Sequence, residues 1–135
     1  MGKKFGTELL QSDLFKTVQV IIPVPMHPKK QQKRGYNQSA LIAEGMALAM
    51  NADVQNNNLV KVLNTTSQTK KSRYKRWENV KDVFQVRNEA LLKNKHILIV
   101  DDVITTGATL EACAQRLAKI EGVTISVASL AYAQV

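Results

Sequence analysis

Residues 97–109 read Ile-Leu-Ile-Val-Asp-Asp-Val-Ile-Thr-Thr-Gly-Ala-Thr. The apolar run Ile97, Leu98, Ile99 and Val100 leads into two adjacent acids, Asp101 and Asp102. A small, hydroxyl-rich turn follows, with Thr105, Thr106, Gly107, Ala108 and Thr109, and then a helical pattern. The expectation is a buried strand that ends at the acids, a turn, and a helix N-terminus. Such a helix start presents free N–H groups and the positive end of the helix dipole, which suits a phosphate. The threonine hydroxyls add donors. Two carboxylates at a strand end can hold sugar hydroxyls or Mg²⁺, a hard cation that favours oxygen ligands. The chemistry that fits is recognition of a phosphorylated sugar with a metal. Turn chemistry alone is the bland alternative, but it leaves the paired acids unexplained. The acid pocket of a phospho-acceptor domain is a second alternative. A dinucleotide fingerprint or a P-loop needs glycines that this stretch lacks, because only Gly107 is present.

The elements that position this stretch follow from patterning. Residues 18–24 are β-branched and apolar and read as a strand. It is closed by Pro23, Pro25 and Pro28, which make a stiff loop that also holds Met26 and His27. Lys29, Lys30, Lys33 and Arg34 follow, four cations in six positions. Asn37 is the expected N-cap of a helix over 38–50 that buries Leu41, Ile42, Met46 and Ala49. Gly45 costs that helix roughly 1 kcal/mol of propensity, so close packing is its expected purpose. A helix is expected over 7–15, with strands over 59–63, 83–86 and 123–130 and a short helix after Ser72. In the helix over 108–120, Leu110, Cys113, Ala114 and Leu117 share one apolar face, and Gly122 stops it. Residues 64–71 read as a polar loop, and Lys70, Lys71, Arg73, Lys75 and Arg76 form a second basic cluster. The alternation of strands and helices makes this an α/β protein with a parallel sheet. Ligands of such sheets collect beyond the carboxyl ends of the strands. If the strands ending near Val24 and Val100 are neighbours, their two loops share one crevice.

The chain has 135 residues, no internal repeat and no linker, so one domain over 1–135 is expected. No apolar run approaches the roughly 20 residues of a membrane span, and the N-terminus lacks an apolar signal core. The expected location is the cytoplasm, with no membrane partner. A single cysteine, Cys113, excludes an internal disulfide and a cysteine-cluster metal site. It lies on the apolar helix face and reads as core. The net charge of +8 favours anionic partners such as phosphates, nucleotides or nucleic acid. The bland reading of each basic cluster is a solvated face. His96 is expected only to flank a strand. Trp77 and Tyr36, each close to an arginine, either stack on a base or pack locally.

Four apolar residues, Asp-Asp, two residues, then Thr-Thr-Gly-x-Thr resemble the phosphoribosyl pyrophosphate (PRPP) loop of type I phosphoribosyltransferases. Residues 21–29 and Arg34-Gly35-Tyr36-Asn37-Gln38, with Gln68, Arg76, Asn79 and Val80, resemble the ComF/GntX branch of that family. The resemblance implies a three-layer core, a parallel twisted sheet with helices on both faces. It implies that Asp101 and Asp102 bind the ribose hydroxyls of PRPP with Mg²⁺. Thr105, Thr106, Gly107, Ala108 and Thr109 would hold the 5′-phosphate. The loop of Met26 and His27, with Lys29, Lys33 and Arg34, would face the pyrophosphate. Lys70, Lys71, Arg73 and Arg76 would lie on a flexible loop that closes over the site. The implied activity is a glycosyltransferase (pentosyltransferase) reaction of nucleoside metabolism, passing phosphoribose to a nitrogen acceptor. The alternative is a non-catalytic PRPP sensor, or a single-stranded-DNA-binding competence protein that meets other competence proteins. Members of the branch usually carry a cysteine-rich, zinc-ribbon-like N-terminal segment. That segment is expected to be absent here, so no zinc site is carried over. A dimer is one option the resemblance leaves open.

Overall fold

The structure is a computed structural model that describes residues 2–9, 15–26, 33, 35–62, 83–104 and 106–132. In chain order its elements are α1 (Gly2–Leu9), β1 (Val20–Pro23), α2 (Gln38–Met50), β2 (Asp53–Val54), β3 (Leu59–Lys61) and β4 (Phe84–Val86). A 3₁₀ turn (Glu89–Leu91), β5 (His96–Ile104), α3 (Ala108–Ala118) and β6 (Thr124–Tyr132) follow.

Four strands form one sheet in the order β2-β1-β5-β6, and every pairing in it is parallel. Parallel neighbours need crossovers, and helices supply them, so both faces of the sheet are covered. This explains why residues 97–100 read as continuously apolar rather than alternating. Ile97 and Ile99 join a core with Val20, Ile22, Leu110, Cys113 and Leu117. Leu98 and Val100 join the opposite core with Ile21, Ile42, Ala43 and Met46. Helix α2 therefore lies on one face, with α1 packed against it, and α3 on the other, the three-layer arrangement expected. No helix among the described residues is long and apolar enough to cross a membrane.

Several boundaries differ from expectation. β5 does not end at the acids. It runs on through Asp101, Asp102 and Val103 to Ile104, paired with β6 as far as Tyr132. The fourth strand of the sheet is β2, whose two residues pair with Val20 and Ile21. The expected strands near 59 and 83 exist, but they pair with each other, antiparallel, as a separate sheet. The first helix spans Gly2–Leu9, and residues 10–14 of the helix expected over 7–15 lie outside the described residues. So do residues 63–82, with Gln68, Trp77, the polar loop expected at 64–71 and the short helix expected after Ser72.

Asn37 caps α2 as expected, its Oδ1 accepting from Ser39 N at 2.9 Å and Ala40 N at 3.4 Å. The buried residues of α2 are Ser39, Ile42, Ala43, Met46 and Met50, whereas Leu41 is 54% exposed. His96 is not merely flanking. It opens β5, buried, with Nδ1 2.7 Å from Thr17 Oγ1 and Nε2 2.8 Å from Ser126 Oγ.

Gly45 shows why α2 tolerates a glycine. A Cβ there would stand 2.8 Å from Lys3 N and 3.0 Å from Gly2 Cα, so the backbones of α1 and α2 meet at this point. A Cβ on Gly6 would likewise meet Met46 Cα at 2.9 Å. Helix propensity alone makes Gly45→Ala stabilising by about 1 kcal/mol. Overpacking against backbone costs about 1–3 kcal/mol and reverses the sign. We expect Gly45→Ala to lower the urea midpoint; a raised midpoint would mean that α1 does not pack there.

Candidate functional site

The site begins where β1 stops. Pro23 is the last residue of β1 and pairs with Val100, and Val24 N donates to Val100 O at 2.8 Å. Beyond that point β5 continues beside β6 alone, so its other edge opens at Asp101 and Asp102. The chain leaving β1 and the start of α2 border this opening. Asn37 Nδ2 donates to Val24 O at 3.2 Å and fixes the helix start to the strand end. Ser39, buried in the first turn of α2, donates from Oγ to Asp101 Oδ1 at 3.2 Å. Asp102 N also donates to Asp101 Oδ1, at 2.8 Å, and Val103 N donates to Asp102 Oδ1 at 2.9 Å.

On the other side of the acids stands α3. Its N-cap is Gly107, in the left-handed region at φ 80°, with no side-chain cap bond. A glycine serves here because the turn needs positive φ. Thr106 Oγ1 accepts from Ala108 N at 3.3 Å. Two hollows result. One is lined by Thr106, Gly107, Ala108 and Thr109 of the α3 start. The other is lined by Pro25, Met26, Ser39, Lys61 and Asp102. Asp101, Val103 and Thr109 line both. The two expected loops do share one crevice, because β1 and β5 are neighbours.

Of the residues expected at the site, Asp101, Asp102, Met26, Thr106, Gly107, Ala108 and Thr109 are brought together here. Lys33 is exposed and lines neither hollow. His27, Lys29, Arg34, Thr105, Lys70, Lys71, Arg73 and Arg76 lie outside the described residues. Two lining residues were not anticipated. Ser39 carries a readable signal, two positions after a helix cap that must border the crevice. Lys61 carries none, being a lone lysine in a three-residue strand.

Burial, then the neighbouring Asp102 carboxyl, pushes the Asp101 carboxyl above its ordinary 3.8. Cys113 lies buried beneath, its thiol pushed up to about 12 by burial and by the Asp101 charge, with Lys61 pulling the other way. It is an inert core thiol. No cluster of three His, Cys, Asp or Glu side chains that could hold a metal occurs among the described residues. Two adjacent carboxylates fit a Mg²⁺ that brings phosphate oxygens and water to complete its shell.

The raised Asp101 pKa has a stability consequence. The folded state keeps this proton to higher pH than the unfolded chain does. Stability therefore falls as pH rises from 3.8 through the folded value, and the deficit persists above it. Asp101→Asn keeps the Ser39 and Asp102 N–H acceptor while removing the charge. Urea midpoints of the ligand-free variant should match or exceed those of the unaltered protein at pH 7. That margin should shrink toward pH 4; a margin that does not change with pH would contradict the burial argument.

A family model described as the phosphoribosyl transferase domain matches residues 37–134, the stretch that holds α2, both acids and the α3 turn. Competence protein F of Haemophilus influenzae is 35% identical over 122 residues, covering 87% of this chain and 52% of that protein. DNA utilization protein YhgH of Salmonella typhi is 32% identical over 107 residues, covering 79% of this chain and 46% of that protein. The chain thus spans about half the length of these relatives. Among solved structures, adenine phosphoribosyltransferase from Saccharomyces cerevisiae superposes with a TM-score of 0.63 at 15% identity. That superposition covers 98% of this chain and 66% of the yeast enzyme, and it shows a shared fold. By its fold and by the match over 37–134, the chain belongs to the phosphoribosyl transferase domain family, among relatives named for competence and DNA utilization.

Proposed function

We propose that this chain binds PRPP through the crevice at the end of β5 and transfers its phosphoribosyl group to a nitrogen acceptor. The observation that carries the reading is the sharing of Asp101, Val103 and Thr109 by the two hollows. One continuous ligand can then span a helix N-terminus and a pair of acids. In this reading the 5′-phosphate lies on the turn of Thr105, Thr106, Gly107, Ala108 and Thr109. The N–H groups and dipole of α3 face it there. The ribose hydroxyls donate to Asp101 and Asp102. The C1 diphosphate points toward Met26 and the start of α2, at the hollow lined by Pro25, Met26 and Ser39. The family resemblance would add His27, Lys29, Lys33 and Arg34 and the cluster of Lys70, Lys71, Arg73 and Arg76 as basic groups for the leaving group. Asp101 and Asp102 lie where they could help hold a Mg²⁺ with the diphosphate, and that ion would supply charge neutralisation to the leaving group. As the C1–O bond lengthens, positive charge grows on the ribose, and the acids on the hydroxyls stabilise it. Asp101 is held for this by Ser39 Oγ and Asp102 N, so its carboxylate is oriented before ligand arrives. No nucleophilic side chain is required.

The test is calorimetric titration with PRPP and Mg²⁺, repeated on Asp101→Asn and Asp102→Asn. Each variant loses charged acceptors for hydroxyls or metal, a contact class worth about 1.5–3 kcal/mol, so affinity should fall roughly tenfold or more. Unchanged affinity in both variants would remove the acids from the site. Pyrophosphate release in the presence of candidate amines and bases separates a transferase from a sensor that only holds PRPP.

The names of the relatives and the net charge of +8 favour a second reading, a single-stranded DNA contact. Each phosphate contact on a single strand gives a log–log salt slope near −0.7. Binding with a slope steeper than about −2 supports several such contacts, and a flat slope eliminates them.

A further inference from the structure

Lys61 is the one cation lining the crevice among the described residues, and no expectation from sequence placed it there. It ends β3, half-buried, and lines only the hollow that also holds Pro25, Met26 and the first turn of α2. It does not line the hollow at the α3 start, where Thr106, Gly107 and Ala108 lie. Asp101 and Thr109 separate the two ends. Its ammonium forms no ion pair with any described residue, although Asp101 and Asp102 line the same hollow. The described ion pairs are Lys93–Glu121 and Arg116–Glu89, both away from the crevice. Lys61 thus brings a cation without an ion-pair partner among the described residues to the hollow that holds the two acids, where an anionic group of a ligand can complete it.

We propose that Lys61 recognises the C1 diphosphate and so sets the preference for an activated phosphoribose over the same sugar phosphate without it. The proposal rests on the PRPP reading above, and it adds the residue that discriminates between the two ligands. A sugar phosphate seated with its 5′-phosphate on the α3 turn and its hydroxyls on the acids has its C1 substituent toward Lys61. With a hydroxyl at C1, the ammonium gains no anion. With a diphosphate there, it gains a charge-assisted hydrogen bond in a partly desolvated hollow, among the stronger contacts available to a side chain.

The experiment compares PRPP and ribose 5-phosphate, each with Mg²⁺, on the unaltered chain, Lys61→Gln and Lys61→Arg. Lys61→Gln should lose about tenfold or more in PRPP affinity and leave ribose 5-phosphate affinity within about twofold. Lys61→Arg, which keeps the charge and N–H donors for a phosphate, should recover most of the loss and controls for a folding defect. Equal losses for both ligands would overturn the assignment to the C1 end, and so would PRPP binding by Lys61→Gln that matches the unaltered chain. In either case the PRPP reading itself survives. Failure of the unaltered chain to bind PRPP overturns that reading and this one with it.

Discussion

Strand β5 outlasts its neighbour. β1 leaves the sheet at Pro23, opposite Val100, while β5 goes on for four more residues held by β6 alone. Asp101 and Asp102 fall on that overhang. Inside the sheet, with strands on both sides and helices on both faces, two adjacent carboxylates would face a desolvation cost nothing could offset. On the overhang they keep one open edge. That edge is only partly open: burial, then the neighbouring Asp102, pushes the Asp101 carboxyl above its ordinary value. The first turn of α2 is tied to this overhang through Ser39 and to the end of β1 through Asn37, and α3 starts a few residues beyond the overhang in the chain.

Much of this was legible locally. The run 97–100 flanked by turn chemistry identified a buried strand because both faces of a parallel strand must be apolar. Asn37 identified a helix start because its side chain bonds the orphan N–H groups next to it in sequence. The length of β5 was misread because acids are poor strand formers, although Val103 and Ile104, both β-branched, continued the signal. Leu41 was placed inside because α2 is apolar nearly all round, and such a helix has no stripe from which to read its buried face. The sequence did hint that something approaches it closely, through Gly45, but not that the visitor would be α1.

What local patterns could not supply was the partner of each element. A two-residue strand such as β2 has no periodicity to detect, so the edge strand beside β1 was not expected. Lys61 reaches the crevice from an element far from residues 101–109, and only the assembled topology brings it there. His96 is the same kind of case. Its ring is bonded by Thr17 and Ser126, residues 79 positions upstream and 30 downstream. The site's acids and turn are contiguous in the chain, and the residues that border them are not.

The separate sheet of β3 and β4 has a mechanical consequence. No backbone hydrogen bond among the described residues joins it to the four-stranded sheet. It is attached through buried side chains such as Leu59 and Phe84 against the α3 core. Hydrogen-bond ladders resist sliding in discrete steps, whereas apolar packing yields gradually. The floor of the crevice is therefore set by ladder register, while the wall that carries Lys61 can settle by fractions of an ångström without breaking a ladder bond. The crevice thus joins a floor of fixed ladder register to a wall held by apolar packing.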